Sequence, residues 1–474
     1  MTTVATPPRK SGRVLPTMNE DGSRRWIRPK PSDGKWLRRR TVVAWILMAI
    51  LFVAPFVQFA GKPVFLMDFP RRQFTLMGYT FLPTDTLAFM FFLGTVIIGV
   101  FLLTALFGRV WCGWACPQTV FLEFLYRPIE RFFDGGYTGS RNLDKKGAWF
   151  TPRRLAKYFT YMLLSLFTSH VLLALFVGTE NLYHWVLSPP SEHPTAFGFV
   201  VLTTGLVWFN FTYFREQTCL IVCPYGRWQS ALLDNQSLIV AYDHTRGEPR
   251  ELGVKDRDPR AGDCIMCNAC VQTCPTGIDI RNGLQMECVH CTQCIDACDN
   301  VMAKVGKPPG LIRYSSLDGL AGETRRFLRV RTIFYPAVLA VLSGGLVTTL
   351  ATKAPADVTV LRGAGAPFTE EGDGRVSNQI RVKISNRTNS EQRYTLTAAG
   401  LDDDDAPAAS ATVIAPENPL IVTAGATRTT SIFVLLPRHA FEHGERWMRL
   451  TIRDGAGWSE EQRYRLLGPT RERD

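Results

Sequence analysis

The chain alternates long apolar stretches with segments rich in charge, and this pattern predicts its organisation. Five stretches are long and apolar enough to cross a bilayer, which takes ~20 residues of α-helix. They occupy residues 41–60, 85–107, 158–178, 196–214 and 332–350. The last contains Pro336 and a Gly pair, which membrane helices tolerate where neighbours satisfy the freed backbone groups. We therefore expect a multi-pass α-helical membrane protein.

Beyond Lys353 the period of the apolar positions changes to two. Ile380, Val382 and Ile384 alternate with charged residues, and the same alternation recurs over residues 448–452. Short alternating runs separated by Gly, Pro, Asn and Asp are typical of an immunoglobulin-like β-sandwich. The C-terminal quarter of the chain is therefore predicted to be a separate domain that binds a partner.

The formal net charge of +12 lies mainly beside the apolar stretches. Residues 1–40 contain 11 Lys and Arg and the loop 108–155 contains 8, whereas the loop 179–195 contains none. Residues 351–474 have 16 basic and 17 acidic residues and are therefore near neutral. Because the basic excess flanks the apolar stretches, it indicates membrane topology and not nucleic-acid binding. Basic flanks remain in the cytoplasm. The N-terminus and residues 215–331 are thus expected inside the cell, and the C-terminal domain outside.

All twelve cysteines lie between Cys112 and Cys298. Their close, regular spacings suit metal ligation better than a disulfide framework, and they indicate a reducing compartment. This agrees with the cytoplasmic placement that the charges predict for the same segments.

Two runs of four cysteines follow the spacing Cys-x2-Cys-x2-Cys-x3-Cys, and the first ends with Pro275. This is the pattern of bacterial ferredoxins with two [4Fe-4S] clusters, in which the fourth cysteine of each run ligates the other cluster. Zinc sites are the alternative, but they use four ligands in a two-plus-two spacing. His290, between two of these cysteines, is either a spacer or a hydrogen-bond donor to the cluster, and not a ligand. We assign one cluster to Cys264, Cys267, Cys270 and Cys298, and the other to Cys274, Cys288, Cys291 and Cys294.

Two further cysteine pairs, each in a Cys-x3-Cys-Pro motif, follow the second and fourth apolar stretches. The pairs are Cys112 with Cys116 and Cys219 with Cys223. An i, i+4 spacing places two sulfurs on one helix face, and the proline ends the helix near the second cysteine. Paired thiolates favour a soft ion such as Cu(I). Redox-active dithiols and simple apolar packing are the alternatives, and whether the four sulfurs form one site or two stays open.

Residues 118–133 alternate apolar and charged side chains, as an interfacial helix does. Glu123 and Glu130 could serve there as metal ligands or proton carriers. We interpret them instead as part of a solvated helix face.

Residues 110–135, 219–229 and 263–299 together resemble the FixG/CcoG/RdxA family of accessory proteins of cbb3-type cytochrome c oxidase. The resemblance runs from the first span to the end of the chain. The charges predict a basic cytoplasmic leader before it. The resemblance implies four spans, a ferredoxin-type segment with two [4Fe-4S] clusters, a fifth span and a periplasmic immunoglobulin-like domain. The corresponding residues are 1–40, 41–214, 215–331, 332–350 and 351–474.

The resemblance also implies a function: a protein of the bacterial inner membrane that reduces Cu(II) to Cu(I) during oxidase biogenesis. The eight cysteines of the two runs would carry electrons, and the two Cys-x3-Cys-Pro pairs would bind copper. Implied partners are the oxidase assembly machinery, a copper-exporting ATPase or copper chaperone, an electron donor and membrane lipid. The alternatives are a quinone-linked electron conduit without copper and a non-redox assembly scaffold.

Overall fold

The structure is a computed structural model that describes residues 16–470, except 60–61, 70–72, 82–84, 255–256, 324–328, 373, 389, 401–411 and 442. The first fifteen residues of the predicted leader are therefore outside the described part. The chain divides into two compact units. The first comprises Met1–Val57, Pro63–Phe74 and Phe81–Val347, and the second comprises Gln58–Lys62, Thr75–Thr80 and Thr348–Asp474.

Helices dominate the first unit. The α-helices are α1 Lys35–Val53, α2 Thr86–Phe107, α3 Val110–Trp114, α4 Pro117–Phe121, α5 Arg127–Asp134, α6 Gly136–Lys145, α7 Pro152–Val177, α8 Thr179–Leu187, α9 Pro194–Phe209, α10 Pro224–Leu232, α11 His244–Gly247, α12 Ala269–Gln272, α13 Gln293–Lys304, α14 Leu317–Leu320 and α15 Val330–Ala351. Three π-helical turns join them at Leu122–Tyr126, Asn210–Phe214 and Thr218–Val222.

Among the described residues, five helices are long and apolar enough to cross a membrane. They are Lys35–Phe56, Thr86–Phe107, Pro152–Val177, Pro194–Phe214 and Val330–Ala351. Each corresponds to one predicted stretch. The first begins at Lys35, inside the predicted leader, because its arginines are good helix formers that continue the helix. Pro152 and Pro194 stand in the first turn of their helices, where the missing N–H costs nothing.

The strands fall mainly in the second unit. They are β1 Gln58–Phe59, β2 Lys62–Pro63, β3 Phe65–Asp68, β4 Gln73–Leu76, β5 Tyr79–Phe81, β6 Ile239–Tyr242, β7 Ile312–Ser315, β8 Ala356–Arg362, β9 Thr369–Glu370, β10 Arg375–Asn386, β11 Gln392–Gly400, β12 Thr412–Ile414, β13 Leu420–Val422, β14 Thr427–Pro437, β15 Glu445–Arg453 and β16 Ser459–Leu467.

The C-terminal strands form two sheets, with the orders β12-β14-β10-β8 and β13-β11-β15-β16. Ile380, Val382 and Ile384 of β10 are fully buried and pack in one core with Leu450 and Ile452 of β15. The alternation seen in the sequence is thus the inward face of each sheet. The β-sandwich expected of this region is present.

Buried ion pairs connect distant parts of the first unit. Glu130 of α5 accepts hydrogen bonds from Arg28 of the leader and, at 2.9 and 3.1 Å, from Arg215 at the end of the fourth span. Lys157 of α7 lies 3.7 Å from the same carboxylate. One carboxylate therefore holds three cations from three separate segments.

The prediction that Glu123 and Glu130 line a solvated helix face is wrong. They are 8% and 5% exposed, and Arg127 donates a hydrogen bond to Glu123. Burial alone would raise the pKa of Glu130, but Arg215, Arg28 and Lys157 hold it well below its usual value. Both carboxylates are paired structural groups, and their partners include residues far along the chain.

The described part of the leader packs against the ferredoxin-type segment. The Lys30 N–H donates to the Gln272 carbonyl at 2.9 Å, and the Thr273 hydroxyl donates to the Lys30 carbonyl at 2.8 Å. The backbone N–H groups of Trp36 and Leu37 donate to the Asp296 carboxylate. Helix α1 is thereby attached directly to α13.

Replacing Glu130 with Gln should lower the free energy of unfolding by about 3 kcal/mol, because it removes the buried carboxylate that three cations share. Each cation then keeps one acidic partner: Asp144 for Arg28, Asp134 for Lys157 and Glu216 for Arg215. Glu130 stabilises the fold above the pKa of the unfolded chain, ~4.3, and this contribution is lost as the pH falls through the lower folded pKa. Denaturation in detergent at pH 7 should show the loss. The exposed Glu192→Gln is the matched control, and an equal effect of both changes would contradict the prediction.

Candidate metal centres

The two cysteine runs repeat one backbone conformation. Met266 and Asn268 flank the second cysteine of the first run with φ of 52° and 57°, and His290 and Thr292 flank that of the second run with φ of 51° and 64°. Residues other than glycine rarely adopt this left-handed backbone conformation outside sites that require it. The repeat turns the chain twice within each run, so that successive thiols face a common centre.

A short helix follows each turn and places the third cysteine in its first turn. Asn268 precedes α12, which contains Cys270, and Thr292 precedes α13, which contains Cys294. Arg281 donates to the Asn268 side-chain oxygen at 2.7 Å, which stabilises the strained turn. Cys298 lies one turn further along α13 and faces the first run.

The eight thiols line two cavities with empty volumes of about 350 and 340 Å³. The first cavity is lined by Cys274, Cys288, Cys291 and Cys294, and the second by Cys264, Cys267, Cys270 and Cys298. Cys270 also reaches the first cavity. The structure thus brings together the two sets that the crossed pairing predicts, and the cavities adjoin at Cys270.

The donor set of each cavity fits an iron–sulfur cluster. All eight cysteines are free thiols, and burial is the main cause that raises the pKa of Cys270 and Cys288 to about 12. Among the described residues no three His, Cys, Asp or Glu side chains converge on one metal ion. Thiols that surround a cavity, instead of meeting at a point, suit a multi-iron cluster better than a single zinc ion.

His290 lines the cavity of the second run and is fully buried. Its Nδ1 accepts a hydrogen bond from the Arg109 backbone N–H at 3.1 Å, and its Nε2 has no partner among the described residues. Burial and Arg109 lower the pKa of His290 to about 3, so the ring is neutral with the proton on Nε2. This unpaired donor fits an acceptor sulfur in the cavity.

The two Cys-x3-Cys-Pro motifs are also structural repeats. Gly108 and Arg215, each four residues before the first cysteine, have φ of 60° and 55° and end the preceding span. The Cys116 N–H donates to the Trp111 carbonyl, and the Cys223 N–H donates to the Thr218 carbonyl, both at 2.8 Å. A proline then begins α4 and α10. Both motifs therefore present their thiols from the same local fold.

The four thiols of these motifs lie close to one another. Burial and the neighbouring Cys116 thiol raise the pKa of Cys112 to about 12, and burial with Cys116 and Cys112 does the same for Cys219. Cys223 raises the pKa of both Cys112 and Cys116. These effects, and the hydrogen bond from the Cys112 thiol to Gln229 of α10, indicate that the two motifs lie side by side. We call the four thiols the four-thiol site.

This four-thiol site adjoins the cavity of the second run. A Cβ atom on Gly113, between Cys112 and Cys116, would lie 2.5 Å from the Val289 carbonyl oxygen, so the two backbones are in contact. Arg109 bridges the same gap, since it donates to the Cys288 carbonyl at 3.4 Å and to the Gly226 carbonyl at 2.9 Å. The three thiol-lined sites therefore form a continuous series.

Several residues of the site are not evident from cysteine spacing. Gln229 is fully buried, and its side-chain oxygen accepts a hydrogen bond from the Cys112 thiol at 3.2 Å. Arg40 is fully buried and donates to the Gly113 carbonyl. Burial raises the pKa of Cys291 to about 11, and the nearby Arg40 opposes this rise. Arg109 is also not evident from cysteine spacing. Its charge, three residues before Cys112, is a sequence signal that could have identified it.

Three family models match this chain. A 4Fe-4S dicluster domain covers residues 214–317, a 4Fe-4S binding domain covers residues 88–134, and the Ig-like fold at the C-terminus of FixG covers residues 346–469. The second match contains Cys112 and Cys116. Together with the five apolar helices, these matches define the class of the protein as a membrane-associated iron–sulfur protein with a C-terminal β-sandwich.

Curated relatives identify the family. The nitrogen fixation protein FixG of Rhizobium meliloti is 31% identical and aligns over 91% of this chain and 90% of its own length. Protein RdxA of Cereibacter sphaeroides is 34% identical over 76% of this chain and 80% of its own length. The chain therefore belongs to the FixG/RdxA family. A crystal structure of a FixG-related protein from Vibrio parahaemolyticus matches 24% of this chain and 98% of its own, at 18% identity and a TM-score of 0.21.

Gly113→Ala should destabilise the protein by about 1 to 3 kcal/mol, because the added methyl group meets the Val289 backbone, which cannot move aside as a flexible side chain would. Gly99→Ala in α2 is the control, since a Cβ atom there meets nothing within 4 Å. It should be neutral or slightly stabilising. Thermal unfolding of both variants in detergent tests the contact, and equal stability would argue against it.

Proposed function

We propose that this protein is an electron-transfer protein of the bacterial inner membrane that reduces Cu(II) to Cu(I) for assembly of a cbb3-type cytochrome c oxidase. Two [4Fe-4S] clusters, held by the two sets of four cysteines, supply one-electron storage when bound. Copper is the substrate and binds at Cys112, Cys116, Cys219 and Cys223. Among the described residues no three of these thiols converge on one point, so copper binding has to draw them together. The N-terminus and both clusters face the cytoplasm, and the β-sandwich faces the periplasm.

The observation that supports this proposal best is the contact between the four-thiol site and the second cysteine run. Gly113 touches the Val289 backbone, and Arg109 hydrogen-bonds to both sides. An electron acceptor held by the four thiols would therefore lie next to a cluster, with no intervening segment. Four soft thiolates favour the reduced ion, so binding itself assists reduction.

Reduction of one Cu(II) to Cu(I) takes one electron, and no covalent bond within the protein is made or broken. The thiols of Cys112 and Cys219 have raised pKa values, so they bind copper by releasing protons. Gln229 orients the Cys112 thiol through its side-chain oxygen. The product, Cu(I), would pass to a copper-exporting ATPase or a copper chaperone at the membrane.

The family model over residues 88–134 favours a second candidate for the four-thiol site. That model describes a 4Fe-4S binding domain and contains Cys112 and Cys116. Four clustered thiols would also suit a third cluster, and the protein would then be an electron conduit, for example from quinone to a partner, without copper. Iron content separates the two candidates, since a third cluster adds about four iron atoms per chain.

Changing Cys112, Cys116, Cys219 and Cys223 together to Ser should strongly slow copper reduction and leave the clusters in place. Purified protein is reduced chemically and mixed with Cu(II), while cluster absorbance and Cu(I) formation are followed. We expect reoxidation of the clusters with about one Cu(I) for each electron they held, and at least a ~10-fold slower reaction in the variant.

Iron analysis of the same preparations is the control. About eight iron atoms per chain in both proteins supports two clusters and a separate thiol site, whereas about twelve falling to about eight indicates a third cluster. Full copper reduction by the variant would refute the thiol site. Clusters that never change oxidation state would leave only a scaffold role.

Arg40→Gln should lower the reduction potential of the cluster at the second run. A buried positive charge near Cys291 stabilises the more negative reduced state, and a unit charge several ångströms away contributes about 1 to 3 kcal/mol at an effective dielectric constant of ~20. EPR-monitored redox titration should show a shift of the order of 50 to 100 mV. Arg39→Gln is the neighbouring control, and equal potentials in all three proteins would contradict the expectation.

A further inference from the structure

An open cleft with an empty volume of about 1060 Å³ lies between the leader, α6 and the first cysteine run. We call it the basic cleft. Its basic and aromatic lining residues are Arg24, Arg25, Arg28, Arg141, Lys145, Trp26 and Tyr137. Its remaining lining includes Asp144 and residues beside the first cysteine run.

The lining of the basic cleft carries mainly positive charge. Asp144 is the acidic residue among those that line it, and it is paired with Arg28 at 2.9 Å and with Arg154 at 2.5 Å. Arg141 and Lys145 are exposed, and Lys145 has no hydrogen bond or ion pair within the described part of the chain. The surface that solvent meets is therefore cationic.

The position of the cleft is fixed by the fold. The Lys30 N–H bonds to Gln272, and Thr273 bonds back to Lys30, so the leader is held beside the first cysteine run. Arg28 is clamped between Glu130 and Asp144. Arg141 donates to the Tyr137 hydroxyl at 3.0 Å, which orients it at the rim.

One of the eight cysteines of the two runs lines the basic cleft. Cys274 lines both the basic cleft and the cavity of the second run, and it is half-buried. A molecule seated in the cleft would therefore approach the thiol-lined cavity that adjoins the four-thiol site. Neither the matching families nor the names of the relatives assign a function to this cleft.

We propose that the basic cleft is the docking site of an acidic one-electron carrier protein of the ferredoxin or flavodoxin kind. The inference rests on the electron-carrying part of the proposed function. In the exchange the carrier loses one electron and the cluster beside Cys274 gains one, with no bond made or broken. Charge complementarity of this kind raises association rates without requiring a large interface, as suits transient electron-transfer partners.

The chain itself does not supply a matching occupant in its N-terminal segment. Residues 1–15 contain Arg9, Lys10 and Arg13 and no acidic residue. Their charge has the same sign as the cleft, so complementarity favours a separate acidic partner. Anionic lipid is also complementary to the positive cleft, and the test distinguishes it from an acidic protein.

The test uses the full chain in detergent with its clusters loaded, and fully reduced flavodoxin as the probe. The variant carries Arg141→Glu and Lys145→Glu together. We expect the second-order rate of cluster reduction at low salt to fall at least ~10-fold, and affinity for oxidised flavodoxin to weaken similarly. The wild-type rate should fall with ionic strength, and that of the variant should fall less.

The matched control is a second double reversal, Arg260→Glu with Lys304→Glu. Both residues are exposed in the ferredoxin-type segment, and neither lines the cleft. Unchanged cluster absorbance in each variant shows that the fold is intact. Because no copper is present, failure of copper reduction would leave this result untouched.

Three outcomes would overturn the proposal. Equal rates and affinities in the wild type and the cleft variant would show that the cleft does not bind the carrier. An equal loss in both double variants would show a nonspecific charge effect. Loss of binding to phosphatidylglycerol vesicles, with an unchanged reduction rate, would assign the cleft to lipid headgroups.

Discussion

The placement of the thiol sites depends on one buried carboxylate. Glu130, just after the first Cys-x3-Cys-Pro motif, pairs with Arg215, which ends the span before the second motif. A buried carboxylate with three cations has few arrangements of low free energy, because each unpaired charge would cost several kcal/mol. The Glu130–Arg215 pair therefore fixes the two motifs relative to each other. Arg28 extends the same constraint to the leader.

Local patterns were enough to predict much of this protein. The five long apolar helices, the two cysteine runs and the β-sandwich each depend on the pattern within a short segment. The sandwich strands bury Ile380 and Leu450 as their period of two requires. The crossed sets of cysteines follow from the ferredoxin pattern, in which the fourth cysteine of each run ligates the other cluster.

The remaining features depend on partners far along the chain. Glu123 and Glu130 were assigned to solvent because a charged helix position is usually exposed, and nothing nearby in sequence indicates that Arg215 meets Glu130. The sequence likewise left open whether the four thiols form one site, since this depends on how the second and fourth spans pack. The role of the leader was missed because its contacts with Gln272 and Asp296 leave no periodic signal.

The charges around the two cavities differ in a way that gives electron flow a direction. Beside the first run, Arg281 is neutralised by two hydrogen bonds to Asp279, and Asp299 lies near Cys298. Beside the second run, the buried Arg40 donates to the Gly113 carbonyl, and its two Nη atoms have no hydrogen-bond partner among the described residues. Glu123, which also lies near Cys291, is paired with Arg127. A cluster there gains more from accepting an electron, so its potential should be the higher of the two. At equilibrium, electrons would then be found mainly at the cavity of the second run, whose Val289 contacts Gly113. This cavity adjoins the four-thiol site, so the electrons would lie next to an acceptor that those thiols bind.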